Sequence, residues 1–182
     1  MTAADISNSN PMLFNEGLFS LALVAFVVLL VFEKLRPFRQ FDIKTYKESI
    51  ITNTSAFLIN NVILTTLRAS SLFVVAQQFS SIGLLSGMSD GVLKSLLTFT
   101  LFDLAIYAWH VASHKYEGLW RFHKIHHSDK SFNVSTGFRF HVFDLFLEII
   151  YKCLFVIVIG VDAYLVLTIE IVELFFIFFH HA

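Results

Sequence analysis

Five apolar stretches, each near the length a helix needs to cross a bilayer, constrain this 182-residue chain more than any other feature. They run from about Leu13 to Phe32, Ser49 to Phe79, Leu93 to Ala112, Val142 to Ile159 and Ala163 to Phe179. Backbone polar groups in hydrocarbon must be satisfied within the structure itself, so such stretches fold as helices. Hydrophobic residues make up 56% of the chain and 22 are phenylalanine, too many for an ordinary soluble surface. The expected class is therefore all-α: a polytopic membrane helix bundle of about four to five spans with a cytoplasmic histidine-rich cap. Residues 1–12 read as a polar tail and 13–182 as a single membrane domain.

The first stretch ends at Glu33-Lys34-Leu35-Arg36-Pro37, where proline stops the helix. It follows an acidic, lysine-free leader and no small-residue cleavage site follows it, so it reads as a retained anchor. The second, with Asn53, Asn60, Asn61 and Arg68, reads as one imperfect span whose first half lies along the interface. Gly83, Gly87 and Gly91 mark a loop over Ser80 to Asp90, and Gly160-Val161-Asp162 makes a tight turn between the last two spans.

Basic residues fix the orientation. Lys34, Arg36, Arg39, Lys44 and Lys47 share one linker, while Lys115, Arg121, Lys124, Lys130, Arg139 and Lys152 lie in or beside the segment Ser113 to Phe140. Only Arg68 and Lys94 fall elsewhere. The positive-inside rule puts both basic segments in the cytoplasm. Five spans with the N-terminus outside satisfy it and return the chain end to the same side, where the histidines gather.

Those histidines read H-x-x-x-H at His110 and His114, then H-x-x-H-H at His123, His126 and His127. Three- and four-residue spacings place side chains on one helix face, close enough to share a metal ion. All-imidazole ligation suits iron, zinc, copper or nickel and does not suit magnesium or calcium. Asp103, one heptad before His110, is a candidate to orient a ligand histidine, with helix packing as the alternative. His141 is a further ligand or a helix cap. Asp144, Glu148 and Lys152 form an i, i+4, i+8 stripe expected to pair with itself. Glu170 and Glu173 sit within the last apolar stretch, where an ionisable group is costly and points into the bundle. Glu173, with His180 and His181 on a similar face, is a candidate for the metal or its surroundings.

The lone Cys153 excludes an internal disulfide and a cysteine-based zinc site, and reads as a small core or lipid-facing residue. No Glu-x-x-His, His-Glu-x-x-His or Gly-rich phosphate loop occurs. A carboxylate-bridged ferritin-like centre and a zincin protease are therefore unsupported.

The histidine order, together with Asp103 ahead of Tyr107-x-x-His110, Leu119-Trp120-x-Phe122-His123, His126-His127-Ser128 and Asn133-x-x-Thr136 with Arg139, resembles the fatty acid hydroxylase / sterol desaturase superfamily. These are integral-membrane, non-haem di-iron oxygenases, and the resemblance covers about residues 50–182. It implies His110 and His114 as a first ligand pair and His123, His126 and His127 as a second group. His181, in Phe179-His180-His181-Ala182, resembles the histidine of the family's Phe-x-His-x-Asn. The asparagine would follow Ala182, and the family's final H-x-x-H-H would come after one more segment. The expectation is either the N-terminal portion of a longer enzyme or a shortened product with weak or no activity.

The resemblance implies O₂-dependent hydroxylation or desaturation of a membrane lipid at two iron ions, for which zinc could stand in, with O₂ as co-substrate. No flavin, haem or ferredoxin motif is present, so electrons are expected from a separate donor. The expected partners are the bilayer, the lipid and, as a further option, a second copy of the chain. A net charge of −1 speaks against nucleic acid. The rival class is a membrane metal-binding or transport protein, for which Glu170 and Glu173 are the only hint of a deeper path.

Overall fold

The computed structural model describes residues 11–37, 41–66 and 72–181, and among them there are seven α-helices and no strand. These are α1 (Pro11–Leu35), α2 (Ile43–Thr66), α3 (Leu72–Phe79), α4 (Val92–Lys115), α5 (Glu117–His123), α6 (Val142–Ile159) and α7 (Ala163–His181). Two short 3₁₀ turns, His126–Ser128 and Val134–Phe138, lie between α5 and α6. The all-helical class is as expected from sequence. Residues 1–10, Arg39 and Arg68, which the sequence reading used, lie outside the described residues.

Local chemistry sets the ends. α1 ends at Leu35, short of Pro37. Asp42 precedes α2 and accepts the Thr45 backbone N–H at 2.9 Å. Asp162 does the same for α7, accepting from Tyr164 at 2.9 Å and Leu165 at 3.2 Å. α6 ends at Gly160 in the left-handed conformation (φ 64°), so the expected turn between the last two long helices is present.

In the stretch Ser49 to Phe79, expected to be one imperfect span, residues 67–71 lie outside the described residues; the parts on either side are helical, α2 to Thr66 and α3 from Leu72. Asn53 and Asn60 are buried against the polar cap, with Asn60 Nδ2 donating to the Phe140 carbonyl at 2.8 Å. α2 is thus bonded along one side to residues 129–140, while α3 is an apolar helix that joins the core of α6 and α7.

Of the described helices, α4 and α7 are long and apolar enough to cross a membrane. α6 is 18 residues long but carries Asp144, Glu148 and Lys152. Burial divides the molecule in two. At the Gly160 end an apolar core gathers Leu72, Ala76, Leu85, Phe102, Val156, Ile159, Val166 and Ile169. About 18 Å back along α6, near Asp144, the buried residues are polar: Asn53, Ser131, Asn133, Ser135 and Thr136. Between the zones Phe138 meets Phe26 of α1, Phe57 of α2 and Phe178 of α7, with ring centroids 4.5–5.0 Å apart.

The loop after α3 docks on the α6–α7 turn, Leu84 and Leu85 donating their N–H groups to the Val158 and Ile159 carbonyls at 3.0 and 2.8 Å. A Cβ at position 160 would collide with the Ile82 carbonyl and would strain a left-handed backbone. Gly160→Ala is therefore expected to cost about 2 kcal/mol or more. A lowered thermal midpoint of the detergent-solubilised variant checks it, and an unchanged midpoint would contradict the docking.

Candidate metal centre

Three elements deliver the histidines. His110 and His114 end α4 one turn apart, and their Nε2 atoms lie 3.1 Å from each other. Tyr116, in extended conformation, breaks the chain direction between α4 and α5. α5 then brings His123, its last residue, back over them, with ring centroids 4.9 Å from His110 and 5.1 Å from His114. The following 3₁₀ turn presents His127, whose Nε2 is 3.2 Å from that of His123. Ligand nitrogens of His110, His114, His123 and His127 all lie within 4.8 Å of one another.

His126 faces the other way. Its buried ring stacks on Phe140 (4.5 Å, 10°), and its Nε2 lies 3.3 Å from the Nε2 of His181 at the end of α7. The cluster thus has two parts: four imidazoles from a short stretch of chain, and a pair that closes over 55 residues.

The second nitrogen of two rings fixes their tautomer. His123 Nδ1 donates to the Asp144 carboxylate at 2.9 Å, with both groups buried. His181 Nδ1 donates to the Ile177 carbonyl at 2.6 Å. Each therefore turns an Nε2 lone pair toward another imidazole nitrogen. Facing lone pairs repel unless a proton or a shared cation lies between them, and the Nδ1 of His126 is buried without a partner. Convergent, neutral, lone-pair nitrogens are the donor set a borderline transition metal takes, so the residues present fit such an ion.

Electrostatics keep His126 and His127 neutral at pH 7. Burial and the neighbouring His181, His127 and His123 lower the His126 pKa to about 3. Partial burial, His123 and His114 lower that of His127 to about 4. Just downstream, Asp129 is held at about 2: against the upward push of burial, it accepts hydrogen bonds from Ser49, Asn53 and Thr136 at 2.6–2.8 Å and from the Ser131 N–H at 3.1 Å. Arg139 extends this network, donating to the Ile125 carbonyl at 3.1 Å and to Asn53 Oδ1 at 3.0 Å. The His126–Ser128 turn is thereby fastened to α2.

The other sequence candidates fall elsewhere. Asp103 is exposed and bonds to no histidine. Seven residues place it on the face of His110 but two turns, about 10.5 Å, away, which is too far for contact. Asp144, read from sequence as part of a self-paired stripe, is the carboxylate that orients a ring; Glu148 and Lys152 do pair, at 2.9 Å. His141 caps α6, its Nδ1 accepting the Phe143 N–H at 3.1 Å. His180 is exposed and its ring meets Phe176 and Phe179. Glu173 lies 3.8 Å from Lys152 in the bundle and bonds to no histidine. Asn133 and Thr136 form a capping box: Asn133 Oδ1 accepts the Ser135 N–H and Thr136 Oγ1 accepts the Asn133 N–H, both at 2.9 Å. Asp129, Ser49 and Asn53 were not singled out as site residues, because their partners lie 76–84 residues apart in sequence.

Comparison with known families agrees with this geometry. Residues 95–182 match the fatty acid hydroxylase family, a segment that holds all eight histidines. No curated protein and no solved structure matches the chain.

Two outcomes are expected. Asp144→Asn keeps the shape but loses the charge that orients His123, and should weaken zinc or cobalt binding about 10- to 100-fold. Competition titration of the solubilised protein checks this, and wild-type affinity in the variant would remove Asp144 from the site. Acid should also destabilise the metal-free protein. With a folded pKa near 3 against 6.5, His126 contributes stability that is whole above pH 6.5 and is lost as pH falls toward 3. At pH 5 the loss is about 2 kcal/mol from this residue. Thermal midpoints at pH 7 and 5 measure it, and His126→Phe should flatten the difference.

Proposed function

From a chain whose residues 95–182 match the fatty acid hydroxylase family, we propose an O₂-dependent oxidoreductase that hydroxylates or desaturates a membrane lipid, fatty acyl or sterol-like. The observation that carries the proposal is the convergence of His110, His114, His123 and His127 on one point, with His126 and His181 paired beside it. His110, His114, His123 and His127 would hold one iron; His126 and His181 would contribute to a second. Bound there, the metal supplies the oxidation of an unactivated C–H bond by O₂, with electrons from a separate donor protein.

The chain's own residues bind and orient. Asp144 holds the His123 ring with its Nε2 turned inward, and the Ile177 carbonyl does the same for His181. Low imidazole pKa values keep His126 and His127 unprotonated, and so able to ligate, at neutral pH. Asp129 and Arg139 keep the turn that carries both in register with α2.

In this reading the protein is polytopic, with four or five spans, and its histidine face lies in the cytoplasm beside the basic linkers. The apolar exteriors of α4 and α7 support contact with acyl chains, since Leu93, Leu96 and Leu104 are more than half exposed. The lipid would enter laterally between Phe-rich helices, its reactive carbon beneath the histidines. Assembly with a second copy is compatible with these surfaces.

Turnover is the test. Membranes containing the protein, supplied with reductant and acyl or sterol lipids, should yield an oxygenated or newly unsaturated product by mass spectrometry. His123→Ala and His126→Ala should abolish it, whereas His180→Ala should retain it within about twofold, as expected where no contact is lost. Product in either of the first two variants would overturn the proposal.

A further inference from the structure

Phe132 occupies a place that neither stability nor packing accounts for. Its φ is 39°, the one positive value outside glycine among the described residues, and a bulky aromatic there is a genuine outlier. Its side chain is 47% exposed. On either side, Ser131 and Asn133 are fully buried and bonded. Ser131 donates its N–H to Asp129 at 3.1 Å. Asn133 Nδ2 donates to Ser131 Oγ at 2.6 Å and to Ser49 Oγ at 2.9 Å. Bonds on both sides thus force the left-handed turn between them.

The result is that the phenyl ring stands against His181, centroids 5.0 Å apart and tilted by 31°. On the far side of the pair Phe140 stacks on His126, so two aromatic rings bracket the two imidazoles. Phe140 is partly buried in the fold, but Phe132 presents its outer face to whatever approaches. An exposed aromatic in a strained backbone is doubly unfavourable for a free surface. It suits a wall that meets an apolar occupant.

We propose that Phe132 is a specificity-determining side chain that holds a lipid's hydrocarbon chain against the His126–His181 side of the cluster. The inference rests on the lipid-oxidising reading above and adds the place where the chain is gripped. Phe132 is neither a ligand nor a proton carrier; it fixes which carbon lies beneath the histidines.

Three measurements test it on the full-length protein. In nanodiscs of unbrominated lipid, Phe132→Trp should show added fluorescence that a mid-chain dibrominated fatty acid quenches saturably, near one equivalent. A linear, unsaturable loss, as bulk bilayer contact gives, overturns the proposal whether or not the protein turns over. Phe132→Gly should melt above Phe132→Ala, because both lack the ring and only glycine relieves the left-handed backbone; the reverse order would remove the geometry the inference stands on. Where the wild type yields product, Phe132→Ala should lower kcat/KM at least tenfold and spread oxidation over neighbouring carbons, with Phe132→Leu intermediate. An unchanged product distribution overturns the inference. Absence of wild-type product with saturable quenching would sink the proposed reaction and leave the chain-binding wall standing.

Discussion

The carboxylate of Asp129 is the point at which the histidine face is tied to the rest of the protein. It accepts from α2 through Ser49 and Asn53, from the following turn through Ser131, and from the capping box through Thr136. A partly buried carboxylate with so many donors stays ionised, and each donor is in turn fixed by it. The consequences run in both directions along the chain. Upstream, the turn carrying His126 and His127 has its position against α2 set. Downstream, residues 131–133 are forced through a left-handed corner, which swings the Phe132 ring onto His181. Losing this carboxylate would strand several buried donors at once, a larger cost than losing any one bond.

The other end of the molecule serves the same site from a distance. α6 leaves Asp144 beside His123, turns at Gly160, and α7 returns to place His181 beside His126. Where His181 arrives depends on the geometry of a turn about 27 Å away, and that turn is locked by Leu84 and Leu85 bonding to its carbonyls. The apolar core at this end makes no contact with the histidines, yet it sets the register of the helix that delivers the sixth one.

What could be read in the sequence was what is local or periodic. The histidine spacing placed His110 and His114 on one helix face, the last two apolar stretches matched α6 and α7 at their starts, and Gly160 marked the turn. Long-range chemistry could not be read. Asp144 sits on a helix stripe whose charges suggest self-pairing, and only the return of α5 over α4 makes it the partner of His123. Asp103 has the right face but the wrong height. The polar contacts of Asn53 and Asn60, which tie α2 to the cap, could not be read either, because their partners lie some 80 residues on.

The two parts of the histidine cluster differ in what they require of the fold. His110, His114, His123 and His127 come from eighteen consecutive residues, joined by one break at Tyr116. Closing so short a segment costs little chain entropy, so this part needs only α4, α5 and the turn that follows. The His126–His181 pair closes across α6, the Gly160 turn and α7, and it forms only when the whole hairpin is docked. Strain and shielding are correspondingly gathered around the pair: a left-handed Phe132 on one side, a stacked Phe140 on the other, and a buried His126 whose Nδ1 has no partner. Unpaired polar groups and strained backbone persist only where surrounding contacts hold them. Here the Asp129 network supplies those contacts. The same carboxylate that fastens the cap to α2 therefore maintains the less favourable half of the site, the half the fold assembles across its longest span.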